Sequence, residues 1–88
     1  MSELDSIIEY PIDFPLKVMG LNQPAFAAAM NALVVHHAPD FDPVTTEMRP
    51  SRGGKYVSLT MTIRATSREQ LDALYRELSD HPMVTMAL

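Results

Sequence analysis

The fold is decided by the stretch Tyr56-Val-Ser-Leu-Thr-Met-Thr-Ile-Arg-Ala65. Apolar and polar side chains alternate along its whole length, which is typical of a β-strand with one buried and one exposed face. The side chains that would face the core are Val57, Leu59, Met61, Ile63 and Ala65. The other face is polar, so it is not expected to be covered by the domain's own core.

The segments before this stretch predict a strand and then a helix. Phe14 to Gly20 alternates in the same way, and the glycine ends the strand. A helix is predicted over about Gln23 to His37, with Asn22 as its N-cap and Pro24 in its first turn. The predicted core-facing stripe of this helix is Phe26, Ala29, Met30, Leu33 and His37.

A second strand and a hairpin turn are predicted between this helix and the central stretch. Val44 to Arg49 alternates weakly and predicts an edge strand that ends at Pro50. Gly53-Gly54 supplies the positive φ angles that a tight turn requires. Core-facing positions are predicted for Met30, Met48, Met61 and Met86.

The remaining sequence predicts a second helix and a last strand. Thr66-Ser-Arg-Glu69 matches a capping box, with Thr66 as the predicted N-cap. The apolar stripe of this helix is Leu71, Leu74, Tyr75 and Leu78. Val84, Met86 and Leu88 then alternate in a final strand.

The element order β-α-β-β-α-β predicts an α+β, ferredoxin-like sandwich with two helices on one face of a four-stranded antiparallel sheet. The first and third strands would lie at the centre. The 88 residues suit one domain, predicted over residues 14–88, after an acidic lead-in over residues 1–13. The uncovered face would collect the side chains of Lys17, Thr45, Glu47, Arg49, Ser58, Thr60, Thr62 and Arg64.

The net charge of −4 is unevenly distributed. The lead-in holds four acidic residues and no basic one, so the rest of the chain is neutral overall. Met48 to Arg68 nevertheless holds five basic residues and no acidic one. Two interpretations stay open: a solvated hairpin that maintains solubility, or a surface that faces an anion. A further hypothesis is that the lead-in lies against this basic stretch and competes with an anionic ligand.

Composition excludes several classes of function. The chain has no cysteine, which excludes disulfides, thiolate metal sites and a thiol nucleophile. Its longest apolar run, Ala25 to Met30, is far shorter than the ~20 residues of a membrane helix. The acidic start lacks the positive region of a signal peptide. A cytoplasmic protein without membrane contact is therefore expected.

The sequence gives little support for nucleic-acid binding, a phosphate site, a metal site or catalysis. Nucleic acid is an unlikely partner, because the sequence pI is about 5.1 and Tyr56 is the one aromatic side chain expected on the open face. An acylphosphatase-like phosphate site would require a basic residue near the loop after the first strand. The loop from Gly20 to Pro24 has none. His36 and His37 would point about 100° apart on a helix, so they are not expected to share a metal. No catalytic constellation is evident, and neither an enzyme nor a cofactor is predicted.

Several short motifs indicate a family. They are Tyr10-Pro11 with Phe14, Lys17-Val-Met-Gly20, His37-Ala-Pro39, Gly53-Gly54-Lys-Tyr56, Ser58 with Thr60, and the helix with Gln70, Leu74 and Tyr75. With these motifs the chain resembles the YbeD family of small bacterial proteins of unknown function, over roughly residues 8–88. The resemblance implies a fold similar to ACT regulatory domains, which bind small molecules, usually pair up, and hold ligand near the loop that begins here at Gly20. It also implies a role in lipoate-related regulation.

These observations predict a non-enzymatic regulatory module that forms a homodimer and senses a small carboxylate or other anion. The alternative is a protein-interaction module that acts through self-association or a sheet edge, with no small ligand. The predicted ligand-binding residues are Lys17, Gly20, Arg49, Tyr56, Ser58, Thr60 and Arg64.

Overall fold

A computed structural model describes residues 9–88 of the chain. The helices and strands follow the predicted order. They are β1 (Ile12–Leu21), α1 (Pro24–His37), β2 (Glu47–Pro50), β3 (Tyr56–Ala65), α2 (Arg68–Asp80) and β4 (Val84–Ala87). The hypothesis about the acidic lead-in concerns residues 1–13, of which residues 1–8 lie outside the described residues. Neither helix in the described range has the length and hydropathy needed to span a bilayer.

The sheet is antiparallel, with strand order β2-β3-β1-β4. The long strands β1 and β3 pair along their whole length, from Ile12 opposite Ala65 to Leu21 opposite Tyr56. The prediction that the first and third strands are central is therefore confirmed. β1 begins at Ile12, two residues before the predicted start at Phe14.

One hydrophobic core joins the sheet to both helices. The apolar positions of β3 are buried, as the alternation predicted, and Leu16 and Val18 of β1 are buried beside them. The helices contribute Phe26, Met30 and Val34 from α1 and Leu71, Leu74 and Leu78 from α2. Each such side chain contributes about 1.5–3 kcal/mol on burial. The buried line of α1 advances every fourth residue, so it includes Val34 and leaves Leu33 and His37 half-buried.

Asn22 is not the N-cap of α1. Gln23 occupies that position without a side-chain hydrogen bond. Asn22 instead donates from Nδ2 to the carbonyl oxygen of Gly54 at 3.1 Å, and its backbone N–H donates to the carbonyl oxygen of Lys55 at 2.9 Å. Its amide therefore ties the β1–α1 loop to the β2–β3 turn, where Gly53 and Gly54 have positive φ as predicted.

The capping box of α2 lies one residue later than predicted. Ser67, not Thr66, is the N-cap, and its Oγ accepts from the backbone N–H of Gln70 at 3.1 Å. Gln70 Oε1 in turn accepts from the backbone N–H of Thr66 at 2.7 Å. Glutamine thus takes the part assigned to Glu69, but its side chain accepts from the residue before the N-cap and not from the N-cap itself, as it would in a capping box.

The predicted second strand starts too early. Asp42 accepts from the backbone N–H of Val44 at 3.0 Å, and a 3-10 helix forms over Pro43–Thr45. Thr45 therefore does not belong to the open face, and β2 begins only at Glu47. The core positions predicted for Met48 and Met86 are also wrong, since these side chains are 57% and 51% exposed at the two sheet edges.

Candidate functional site

The strand register builds a mixed polar and apolar surface on the sheet face that the helices do not cover. Thr60 of β3 lies between Lys17 of β1 and Glu47 of β2, which puts these three residues in one row. In the next row Ser58 lies between Met19 and Arg49. Alternation along the strands aims the side chains of both rows away from the core.

The polar part of this surface is a shallow depression of about 440 Å³. It is lined by Lys17, Glu47, Met48, Arg49, Ser58 and Thr60. We call it the polar depression. Two long cationic side chains and two hydroxyl groups meet there, a combination suited to a carboxylate or another small oxyanion.

A second depression of about 270 Å³ adjoins the first and is mainly apolar. Its lining includes Lys17, Arg49 and Ser58, which it shares with the polar depression, together with Met19, Met86 and Leu88. Met86 lies opposite Met19 in the β1–β4 pairing. Leu88 is held by two backbone hydrogen bonds to Lys17, of 3.1 and 2.8 Å. We call this region the apolar depression.

Tyr56 lies at the margin of this surface. A third depression, of about 260 Å³, is lined in part by Tyr56 and shares Met19, Arg49 and Ser58 with the apolar depression. The Nζ atom of Lys55 lies 5.6 Å from the centre of the Tyr56 ring, within cation–π range. Lys55 therefore adds positive charge near the end of the site closest to the hairpin.

The cations of the two depressions are electrostatically available. Within residues 9–88, neither Lys17 nor Arg49 forms an ion pair with a neighbouring carboxylate. Arg64 differs, because its Nη1 lies 3.6 Å from Asp13 Oδ1. It is four residues along β3 from Thr60, a distance of roughly 13 Å.

The structure thus brings together four of the predicted ligand-binding residues: Lys17, Arg49, Ser58 and Thr60. It does not bring Arg64 to either depression. Gly20 is also elsewhere, because it is buried on the helix-facing side of β1. A Cβ at Gly20 would lie 2.4 Å from the carbonyl oxygen of Met83, so this glycine permits close packing.

The predicted ligand-binding residues did not include five residues that line the two depressions: Met19, Glu47, Met48, Met86 and Leu88. Met19 and Glu47 could have been predicted from the sequence. Each lies two residues from a predicted cationic site residue on the same strand, Lys17 or Arg49, and therefore shares its face. Met86 and Leu88 carried no local signal, since their place beside Lys17 depends on the β1–β4 register and its irregularity at Met19/Gly20.

The helix side carries a separate depression of about 490 Å³ near the C-terminal ends of α1 and α2. Its lining includes His36, Glu77, Asp80 and His81. Glu77 is already engaged, because its Oε2 contacts Nε2 of His37. Within residues 9–88, no group of three or more potential metal ligands is arranged to hold an ion.

Fold and surface together define a ferredoxin-like α+β domain whose uncovered sheet face carries two cations, Lys17 and Arg49, that form no ion pair in the described part of the chain. The chain belongs to a family described as "Protein of unknown function (DUF493)", whose model matches residues 5–88. This agrees with the resemblance to the YbeD family.

Two curated relatives are similar along nearly their whole length. A UPF0250 protein of Bordetella pertussis is 58% identical over 84 residues, covering 96% of this chain and 92% of the relative. A UPF0250 protein of Nitrosomonas europaea is also 58% identical, covering 96% and 97%. The chain and these relatives are therefore members of one family, which is described as being of unknown function.

Two solved structures show the same fold at low identity. The solution structure of Helicobacter pylori protein HP0495 has a TM-score of 0.73 and 17% identity, covering 92% of this chain and 85% of that one. The C-terminal domain of the MgtC protein from Mycobacterium tuberculosis has a TM-score of 0.62 and 17% identity, with coverages of 92% and 88%. At this identity the likeness shows the fold alone.

Proposed function

We propose that this domain is a non-catalytic binding module that senses a small organic anion on its open sheet face. The observation that carries the proposal is that Lys17 and Arg49, which form no ion pair within residues 9–88, lie beside the hydroxyl groups of Ser58 and Thr60. Charge-assisted hydrogen bonds to such cations are the strong ones. A carboxylate placed between them gains two of these bonds without breaking an existing ion pair.

The open geometry sets the character of the binding. Both cations lie on exposed strand positions, so water and salt screen their attraction for an anion. We therefore expect modest affinity that falls as ionic strength rises. The adjoining apolar depression adds contact area for a ligand with a hydrocarbon part.

A thermal-shift screen of organic acids, amino acids and lipoyl compounds tests this proposal, with hits titrated by calorimetry. Lys17→Gln and Arg49→Gln should each weaken binding by about tenfold, because each removes one charge-assisted bond. Arg64→Gln is the matched control: it removes the same charge from the same face, but outside both depressions.

Two results would overturn the proposal. One is the absence of any stabilisation by millimolar ligand. The other is equal weakening in all three variants, because that would reflect the general charge of the face and not a site at Lys17 and Arg49.

A second candidate function, self-association, is favoured by the exposed apolar side chains on this face. Leu88 is 65% and Met86 is 51% exposed, and Met19 lies beside them. A second copy would cover this apolar surface, and contiguous exposed patches commonly mark protein contacts. Pairing at the β2 edge is less suited, since β2 has four residues and ends at Pro50, which has no N–H to donate.

Light scattering with matched charge substitutions tests self-association. A dimer of the native chain should dissociate in Met86→Lys, because the new charge would be buried between two copies. Val44→Lys is the control, since Val44 is 89% exposed but belongs to the 3-10 helix and not to the open face. A native chain that stays monomeric at millimolar concentration, or a Met86→Lys protein that remains dimeric, would contradict this candidate.

A further inference from the structure

Glu47 gives the polar depression a third charge of opposite sign. We infer that the ligand of the open face is a zwitterion with an apolar substituent, the cationic group directed to Glu47 and the anionic group to Lys17 and Arg49. This inference rests on the proposed anion site and names its ligand class. It follows from the register of the three charged residues and from the way the two depressions join.

The register keeps the three charges close but separate. Lys17 and Glu47 lie on either side of Thr60, so their Cα atoms are roughly 10 Å apart, two strand spacings. Glu47 and Arg49 are two residues apart on the same face of β2, roughly 7 Å along the strand. None of the three is ion-paired within the described part of the chain. All three charges therefore remain open to a ligand.

The position of Glu47 disfavours a simple anion. A carboxylate bound by Lys17 and Arg49 would lie in the same depression as the Glu47 carboxylate, and like charges repel at this range. A positive group on the ligand turns that repulsion into attraction. The polar depression therefore selects molecules that carry both signs of charge within a short distance.

The residues that line both depressions indicate where each part of the ligand would lie. Lys17, Arg49 and Ser58 belong to both depressions, so the anionic group lies at their junction. Glu47 lines only the polar depression, and Met86 lines only the apolar one. The cationic group and the apolar substituent consequently extend from the carboxylate into different depressions. An α-amino acid with an apolar side chain is the smallest molecule that has these three parts.

Titrations with leucine and two of its analogues test the inference: 4-methylpentanoate, which lacks the amine, and 3-methylbutylamine, which lacks the carboxylate. Native protein should bind leucine about tenfold more tightly than 4-methylpentanoate, with the amine weakest. Phenylalanine and 3-phenylpropanoate repeat the comparison, so that the result does not depend on one side chain. Binding is followed by backbone amide chemical shifts of β1, β2 and β3.

Glu47→Gln should remove most of the preference, because leucine loses its ion pair while 4-methylpentanoate loses a repulsive neighbour. Glu69→Gln, an exposed substitution on α2, is the control and should leave the preference unchanged. Equal affinity for acid and amino acid in both pairs, or an unchanged preference in Glu47→Gln, overturns the inference. If 4-methylpentanoate binds in a Lys17-dependent manner without that preference, the anion site stands and only the zwitterion fails. If no carboxylate binds at all, the proposed function fails as well.

Discussion

The ring of Phe26 fills the space in which residue 20 would carry a side chain. A Cβ atom on Gly20 would lie 2.6 Å from Cε1 of Phe26 and 2.4 Å from the carbonyl oxygen of Met83. The second contact is with backbone, which cannot rotate out of the way. This glycine is therefore required by the close approach of β1, α1 and the segment before β4, and not by a special backbone angle.

Gly20→Ala should lower the free energy of unfolding by about 1–3 kcal/mol, the usual cost of overpacking a core. Urea denaturation measures this change, and near-native amide spectra would confirm that the variant still folds. Gly54→Ala is the comparison: its φ of +78° makes alanine strained, but a Cβ there meets no atom within 4 Å. A Gly20→Ala protein as stable as the native chain would contradict the packing described above.

Ser67→Ala should destabilise the domain by about 1 kcal/mol, because it leaves the Gln70 N–H at the start of α2 without its acceptor. Chemical denaturation of Ser67→Ala and Thr66→Ala decides between the two capping assignments. The threonine variant keeps the cap and should lose clearly less stability. A larger loss of stability in Thr66→Ala than in Ser67→Ala would support the capping box predicted from the sequence, with Thr66 as the N-cap.

Asn22→Ala should cost about 1 kcal/mol, since it removes the hydrogen bond that joins the β1–α1 loop to the turn at Gly54. The effect should be local as well as global. Hydrogen exchange at the amides of residues 53–56 should accelerate more than exchange in α2. Uniform acceleration in both regions would mean that the contact does not specifically hold the turn.

Stability should fall in alkaline solution through Tyr75. Burial raises the pKa of this phenol, whose ring packs edge-on to Phe14 with centroids 6.3 Å apart. The folded state thus favours the protonated form, and this contribution is complete below the unfolded pKa of about 10. It is lost as pH rises from there through the folded pKa.

Unfolding free energies measured across this alkaline range test the effect. Tyr75→Phe should reduce the slope of stability against pH, whereas Tyr56→Phe, on the open face, should change it less. Equal slopes in the native and Tyr75→Phe proteins would remove the phenol as a cause of alkaline destabilisation.

The central strands were predictable because their pattern is local. Alternation along β3 specifies which residues face the core, and the same alternation on β1 selects Lys17 for the other face. The second strand was misplaced because the hydrogen bond from Val44 to Asp42 forms a 3-10 helix in residues that alternate only weakly. Met48 lies opposite the core-facing Leu59, so its exposure depends on how far the helices extend over that sheet edge. Met86 lies opposite Met19 on the uncovered face, which depends on the β1–β4 register. No local pattern encodes either property.

The candidate site was predictable to the same extent. Arg49, Ser58 and Thr60 follow from the face assignment alone. Arg64 was included among the predicted ligand-binding residues because it shares the open face. The face assignment does not show that it lies far along β3 from the two depressions. Met86 and Leu88 were missed because their contact with β1 depends on pairing between the two ends of the described chain.

The interleaving of core and site along β3 limits how this chain can vary. Ser58 and Thr60 alternate with Val57, Leu59 and Met61, so the outward residues can be substituted without changing the volume of the core. Loss or gain of a single residue is different, because every later side chain would move to the opposite face. The outward surface of this scaffold can therefore diversify by point substitution on a strand of constant length, and insertions or deletions are expected in the loops instead.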